Sequence, residues 1–221
     1  MSPLPTQMTT HWWQRPGRLP GRGLYHWHML FHDQPKVHEL VATAQRKLAG
    51  QPGLDMIEMP WLHMTTYIVG FADGVPDSAI EAMTADARRR LSRVAPIQVS
   101  LGRVGYASNA IVLLVEPPGA LAPVLDAVRE ATRAAGCEGH TDTDPWLPHV
   151  SIAYSNATIP AAPIIAALGR RLPQTEITIR SISLVSQTQV GRSWQWRPVA
   201  EVHLTGEPAP SRQGGVTQRS A

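Results

Sequence analysis

From residue 24 to residue 204 the chain alternates between two hydrophobic spacings. Short runs dense in apolar and aromatic residues fall at 24–31 ("LYHWHMLF"), 62–70, 97–104, 110–116 and 149–154. Such runs predict strands. Between them, apolar residues recur every three or four positions, the spacing of one helical face. Val37, Leu40, Val41, Ala44 and Leu48 predict a helix over 36–49, with Gly50 as its stop. Ile80, Met83, Ala87 and Leu91 predict another near 77–93. Leu121, Leu125 and Val128 mark a third, ending at Gly136, and Ile164, Ile165 and Leu168 a short fourth. Two late strands, 176–186 and 194–204, flank the turn-like "VGRS", and "GRVG" at 102–105 also reads as a turn. The ends lack this order. Residues 1–22 are broken by Pro and Gly, and 206–221 are polar, so an irregular N-terminal segment and a disordered tail are expected around one domain at 23–205.

The elements repeat. Moving 86 positions along the chain carries strand 24–31 onto 110–117, helix 36–49 onto 122–135, and Gly50 onto Gly136. It also carries His63 onto His149, within "PWLHMTTYI" (60–68) and "PWLPHVSIAY" (145–154). The repeated unit is a β-α-β(His)-α-β segment. Two copies are too few for a solenoid, and they predict two similar lobes facing one another.

Composition narrows the classes. At 221 residues, 43% hydrophobic and 17% charged, the chain suits one large domain or two intimate lobes. The net charge of +3 is too small to imply extensive duplex binding, despite a pI near 9.4. Only Lys36 and Lys47 are lysines; the arginine excess suits phosphate recognition but also follows from GC-rich coding. A single cysteine, Cys137, excludes an internal disulfide and a Cys-rich zinc site. No signal-like or membrane-length apolar run occurs, so a cytoplasmic protein without membrane contact is expected. The nine histidines lack metal-ligand spacing, and no metal or cofactor is expected.

The histidine strands carry the chemistry. Residues i and i+2 of a strand share a face, so His63 points with Thr65 and His149 with Ser151. The opposite faces, Leu62, Met64 and Ile68 in one copy and Val150, Ile152 and Tyr154 in the other, are expected in the core. Two imidazoles across a cleft can divide acid and base roles, and two hydroxyls can donate to phosphate oxygens. A lone His-x-Thr is commonplace; its equivalent duplication singles out His63, Thr65, His149 and Ser151. His28 is a further candidate for the cleft, with a structural or surface histidine as the alternative. Arg192 is either a phosphate contact or the closing residue of a hairpin. Trp12 and Trp13 either stack on a base or dock on the body, and "RRR" at 88–90 is a solvated helix face or a phosphate-steering patch.

These residues resemble the two-histidine (2H) phosphoesterase superfamily, in its LigT or 2′-5′ RNA ligase-like branch. That family's motif is His-x-Thr/Ser-x twice, once per lobe; here the copies are "HMTT" (63–66) and "HVSI" (149–152). The resemblance spans about 24–204 and includes the final "GRSWQWRPVAEVHL". It implies an α+β, pseudo-two-fold bilobal fold, each lobe a mostly antiparallel sheet with helices outside and the active cleft between. It further implies metal-independent hydrolysis of a 2′,3′-cyclic phosphodiester on RNA ends or small nucleotides, giving a 2′-phosphate. By the same resemblance His149 is the base and His63 the acid, though near-symmetry leaves the two exchangeable. The aromatic, His-rich "YHWHMLFH" departs from the family pattern and leaves the substrate open. Reverse-direction 2′-5′ end joining and a non-catalytic module for phosphorylated nucleotides are the alternatives. Intact histidines and hydroxyls in both motifs favour catalysis, and the sequence leaves the oligomeric state open.

Overall fold

A computed structural model describes residues 4–13, 17 and 21–207. In chain order the elements are β1 (Gln7–Met8), β2 (Leu24–Leu30), α1 (Pro35–Leu48), β3 (Leu54–Met56) and β4 (His63–Phe71). Then come α2 (Asp77–Leu91), β5 (Ile97–Tyr106), β6 (Ala110–Glu116), α3 (Ala122–Ala134) and β7 (His149–Ser155). The chain continues through β8 (Ile159–Pro160), α4 (Ala162–Leu168), β9 (Arg171–Ile179), β10 (Ser181–Val190) and β11 (Ser193–His203). Two antiparallel sheets result, in the orders β11-β10-β2-β4 and β3-β7-β6-β5-β9; β1 and β8 form a small third pair. The expected α+β bilobal architecture is the observed one.

The repeat is interlocked rather than side by side. Helix α1 follows β2 of the first sheet yet packs on β7 and β9 of the second. Helix α3 follows β6 of the second sheet and packs on β4 of the first, where Trp27 Nε1 donates to Thr132 Oγ1 at 3.1 Å. Gln45 of α1 likewise donates to the carbonyls of Ile57 and Ile152. The free edge of each histidine strand is treated the same way. Strand β3, which leads towards β4, pairs with β7, while His140, which leads towards β7, bridges Ile68 of β4. An uncovered edge would invite pairing with another chain. Each lobe therefore needs a helix and an edge segment from the other repeat.

Three of the β-bulges bear on which side chains of β4, β7 and β5 reach the cleft. Each inserts an extra residue that shifts the inward-outward alternation by one. In β4 the pairing passes from His28↔Thr65 to Trp27↔Tyr67, leaving Thr66 as the extra residue. In β7 it passes from Val112↔Ser151 to Ile111↔Ala153, leaving Ile152, the equivalent position of the repeat. Ile68 and Tyr154 consequently line the cleft, which strict alternation does not predict, although both remain buried and Tyr154 also packs with the core. The third bulge, at Gly102, corrects the turn expected at 102–105: those residues lie inside β5.

Two other expectations change. The single strand expected over 176–186 is two strands in different sheets, separated at Arg180. The N-terminal segment, expected to be irregular, contributes β1, and Met8 is fully buried. The "VGRS" turn is as expected, a two-residue hairpin loop with Gly191 at φ 58°. At the other end Gly206 N–H still bonds Val94 O, whereas 208–221 of the expected tail lie outside the described residues, as do 1–3, 14–16 and 18–20.

Candidate functional site

Each motif histidine opens its strand, two residues after a carbonyl that folds back on its ring. His63 Nδ1 lies 2.9 Å from Trp61 O, and His149 Nδ1 lies 2.8 Å from Leu147 O. A carbonyl can only accept, so Nδ1 carries the proton and the neutral ring keeps its lone pair on Nε2. The i, i+2 geometry brings Thr65 and Ser151 to the same side. All four side chains line one cleft of about 1540 Å³ between the lobes. The loop that precedes β7 also touches β4 directly: Trp146 Nε1 donates to Thr65 O at 3.0 Å.

The surroundings of the two rings differ. His63 is 8% exposed and lies in an aromatic stack, with the His28 ring 4.4 Å away and Trp196 edge-on at 4.7 Å. Burial pulls its pKa down to about 4; the Trp61 carbonyl offsets this in part, and the neighbouring His149 adds to the fall. His149 is half-buried and has a carboxylate nearby, with Asp142 Oδ2 3.9 Å from its Nε2. Burial raises the pKa of Asp142, and the imidazole beside it works in the opposite direction.

His28 sits behind His63 and does not line the cleft. It is fully buried, and its Nε2 lies 3.4 Å from Gln187 Nε2. Burial first, then the histidines on either side, push its pKa well below the ordinary value. Arg192 occupies the exposed hairpin loop, 3.2 Å from Asp55 Oδ2 and outside the cleft. Arg89 and Arg90 pair with Asp86 on the outer face of α2, and Arg90 also pairs with Glu130.

Several cleft residues escape sequence reasoning. His26 lines the cleft and repeats the motif posture, its Nδ1 3.0 Å from Leu24 O. At one end, His11 of the N-terminal segment stacks on Tyr154 at 3.9 Å and accepts a hydrogen bond from Trp194 Nε1. Trp12 docks on the body, donating from Nε1 to Asp55 Oδ2 at 2.7 Å, while Trp13 is 51% exposed. Arg103, Arg170 and Arg171 form the opposite rim. The repeat could have pointed to Tyr154, since its partner Ile68 shares the same bulge; nothing local pointed to His11 or Arg103. Among the described residues no group of three or more His, Cys, Asp or Glu is arranged to hold a metal ion, and no helix is long and apolar enough to cross a membrane.

The profile of the 2′-5′ RNA ligase superfamily matches residues 32–191. No curated protein matches this chain by sequence. Solved structures share its fold. TT0787 of Thermus thermophilus is 18% identical with a TM-score of 0.64, over 84% of this chain and 100% of that one. E. coli LigT, complexed with 3′-AMP, is 14% identical with a TM-score of 0.60, over 83% and 98% of the two chains. The PDE domain of MHV ns2 is 9% identical with a TM-score of 0.53, over 80% and 99%.

Proposed function

The chain belongs to the 2′-5′ RNA ligase superfamily, a group of phosphoesterases and ligases, and we propose that it hydrolyses a 2′,3′-cyclic phosphodiester on an RNA end or small nucleotide to a 2′-phosphate. The observation that carries this reading is the pair of backbone-anchored imidazoles, each with a hydroxyl two residues on, facing one cleft. The ligands in LigT structures, 3′-AMP, ATP, NADP+ and phosphate, are consistent with a nucleotide-sized occupant here.

The division of labour we favour reverses the one expected from the resemblance. A buried ring held near pKa 4 is neutral at neutral pH, so His63 can take a proton at Nε2 but has none there to give. Water loses its proton to His63 Nε2 as its oxygen attacks phosphorus. Thr65 and Ser151 donate to the non-bridging oxygens, where negative charge accumulates. The bond from phosphorus to O3′ breaks, and His149 gives O3′ a proton from Nε2, leaving phosphate on O2′. Asp142 Oδ2 lies 3.9 Å from that nitrogen, a carboxylate beside the ring to which this step assigns the proton.

Acid, base and oxyanion donors are all side chains in this scheme. Turnover of a 2′,3′-cyclic nucleotide should therefore persist in excess chelator, with a product that co-elutes with the 2′-phosphate standard and not the 3′. A strict need for a divalent ion, or a 3′-phosphate product, would sink the scheme. A joined 2′-5′ product would reverse its direction.

A further inference from the structure

The rim of the cleft opposite the aromatic end is built around an irregularity in β5. Ser100 and Leu101 pair with Glu116 and Val115, but Arg103 pairs with Leu114, so Gly102 is left unpaired. Leu101 is fully buried in the core, and without the bulge Arg103 would follow it there. The extra residue turns Arg103 to the cleft instead. The position demands glycine: φ is +151°, and a Cβ would lie 3.1 Å from the Gln174 backbone and 3.2 Å from Pro173 O. A core strand is thus interrupted at the point that sends a guanidinium into the cleft.

Register then aligns Arg103 with the proposed chemistry. His149, Leu114, Arg103 and Arg171 occupy one row across β7, β6, β5 and β9. Neighbouring strands lie roughly 5 Å apart, so Arg103 starts about 10 Å from His149, on the same face. Arg171 is directly opposite Arg103 in the ladder, and Arg170 precedes it; all three line the cleft. Like charges directly opposed in a ladder are unfavourable. Among the described residues the one carboxylate paired with Arg103 and Arg171 is Glu116, 3.9 Å from each, too far to satisfy the guanidinium donors. A bound phosphate would relieve the repulsion and use the forked donors.

We propose that this β5–β9 rim is a second anion subsite that takes a further phosphate of the substrate. The preferred substrate is then a cyclic-phosphate-ended nucleotide with at least one additional phosphate, not a nucleoside 2′,3′-cyclic phosphate alone. The inference rests on the cleft being a phosphoester site, but its test needs no turnover. Calorimetric titration would compare a nucleoside 2′-monophosphate with two probes: the 2′,5′-bisphosphate, and a dinucleotide ending in a 2′-phosphate. One probe places the extra charge on the same nucleotide, the other in the next linkage. The wild-type protein should bind at least one of them about tenfold more tightly than the monophosphate, the scale of charge-assisted hydrogen bonds. That ratio should fall towards one in Arg103→Gln, and fall in the Arg170→Gln/Arg171→Gln double variant, whose sites are exposed and tolerant of change. Equal affinities for all three probes in the wild type, or a ratio untouched in both variants, would overturn the subsite. A preserved ratio in a protein that hydrolyses no cyclic phosphate would leave the subsite standing and remove the catalytic reading.

Discussion

His63 and His149 occupy the same place in two copies of one unit, and their backbones treat them almost identically. Each opens a strand, each is pinned through Nδ1 by a carbonyl two residues earlier, and each precedes a hydroxyl and then a bulge. What surrounds them is not repeated. His63 has two rings behind it, the buried His28 and the half-buried Trp196, supplied by β2 and β11. His149 has Asp142, from the loop that precedes its own strand. The repeat gives the two rings equivalent backbone settings, and non-equivalent neighbours surround them: burial pulls the pKa of His63 down, while His149 is half-buried beside a carboxylate. The backbone around the two rings is symmetric; the packing around them is not.

Removing either ring tests that comparison most severely. His63→Ala and His149→Ala should each lower kcat by about 10²-fold or more, the scale of a positioned acid or base. Thr65→Val and Ser151→Ala should each lose about 10²-fold, the scale of one oxyanion donor. Melting temperatures measured beside turnover separate these losses from unfolding; normal turnover in both histidine variants would end the comparison.

Proton linkage gives the next effect. The folded pKa of His63 lies below its unfolded value, so below pH 6.5 the unfolded chain binds the extra proton and stability falls as pH drops towards 4. Between pH 7 and pH 5 this one group should remove about 2 kcal/mol of stability. Denaturant titrations at the two pH values should show the wild type losing more than His63→Ala by about that amount. An equal loss in both proteins would mean that His63 is not held neutral by burial.

The smallest effect sharpens the origin of the difference. If the aromatic wall keeps His63 neutral, the acid limb of kcat/KM lies well below the ordinary histidine range. Trp196→Ala admits water behind the ring, which should raise its pKa and move that limb upward by about one unit. A limb that stays put while melting changes would make Trp196 a packing residue only.

Much of this molecule is written locally. The strand at 110–116 and the helix faces of α1 and α3 follow from spacing, and the offset that joins His63 to His149 follows from the repeat. The pairing of His63 with Thr65, and of His149 with Ser151, needs only the two-residue period of a strand. Where expectations failed, the cause lay outside the segment. Bulges depend on the register of the partner strand, so alternation alone missed that Ile68 and Tyr154 also face the cleft, and residues 102–105 read as a turn. The apolar pattern runs through Arg180 without a break, although the chain changes sheets there.

The sequence by itself determined the elements, their duplication and the two histidine-hydroxyl faces, because hydrophobic period and residue type are properties of neighbours along the chain. The tertiary structure alone decided which ring is buried, which has a carboxylate beside it, and that Arg103 reaches the cleft. Proton affinity and field depend on desolvation and on charges brought close by folding. Those contacts join β2, β4 and β11 around one histidine and leave the other beside Asp142, an assignment that no local pattern encodes.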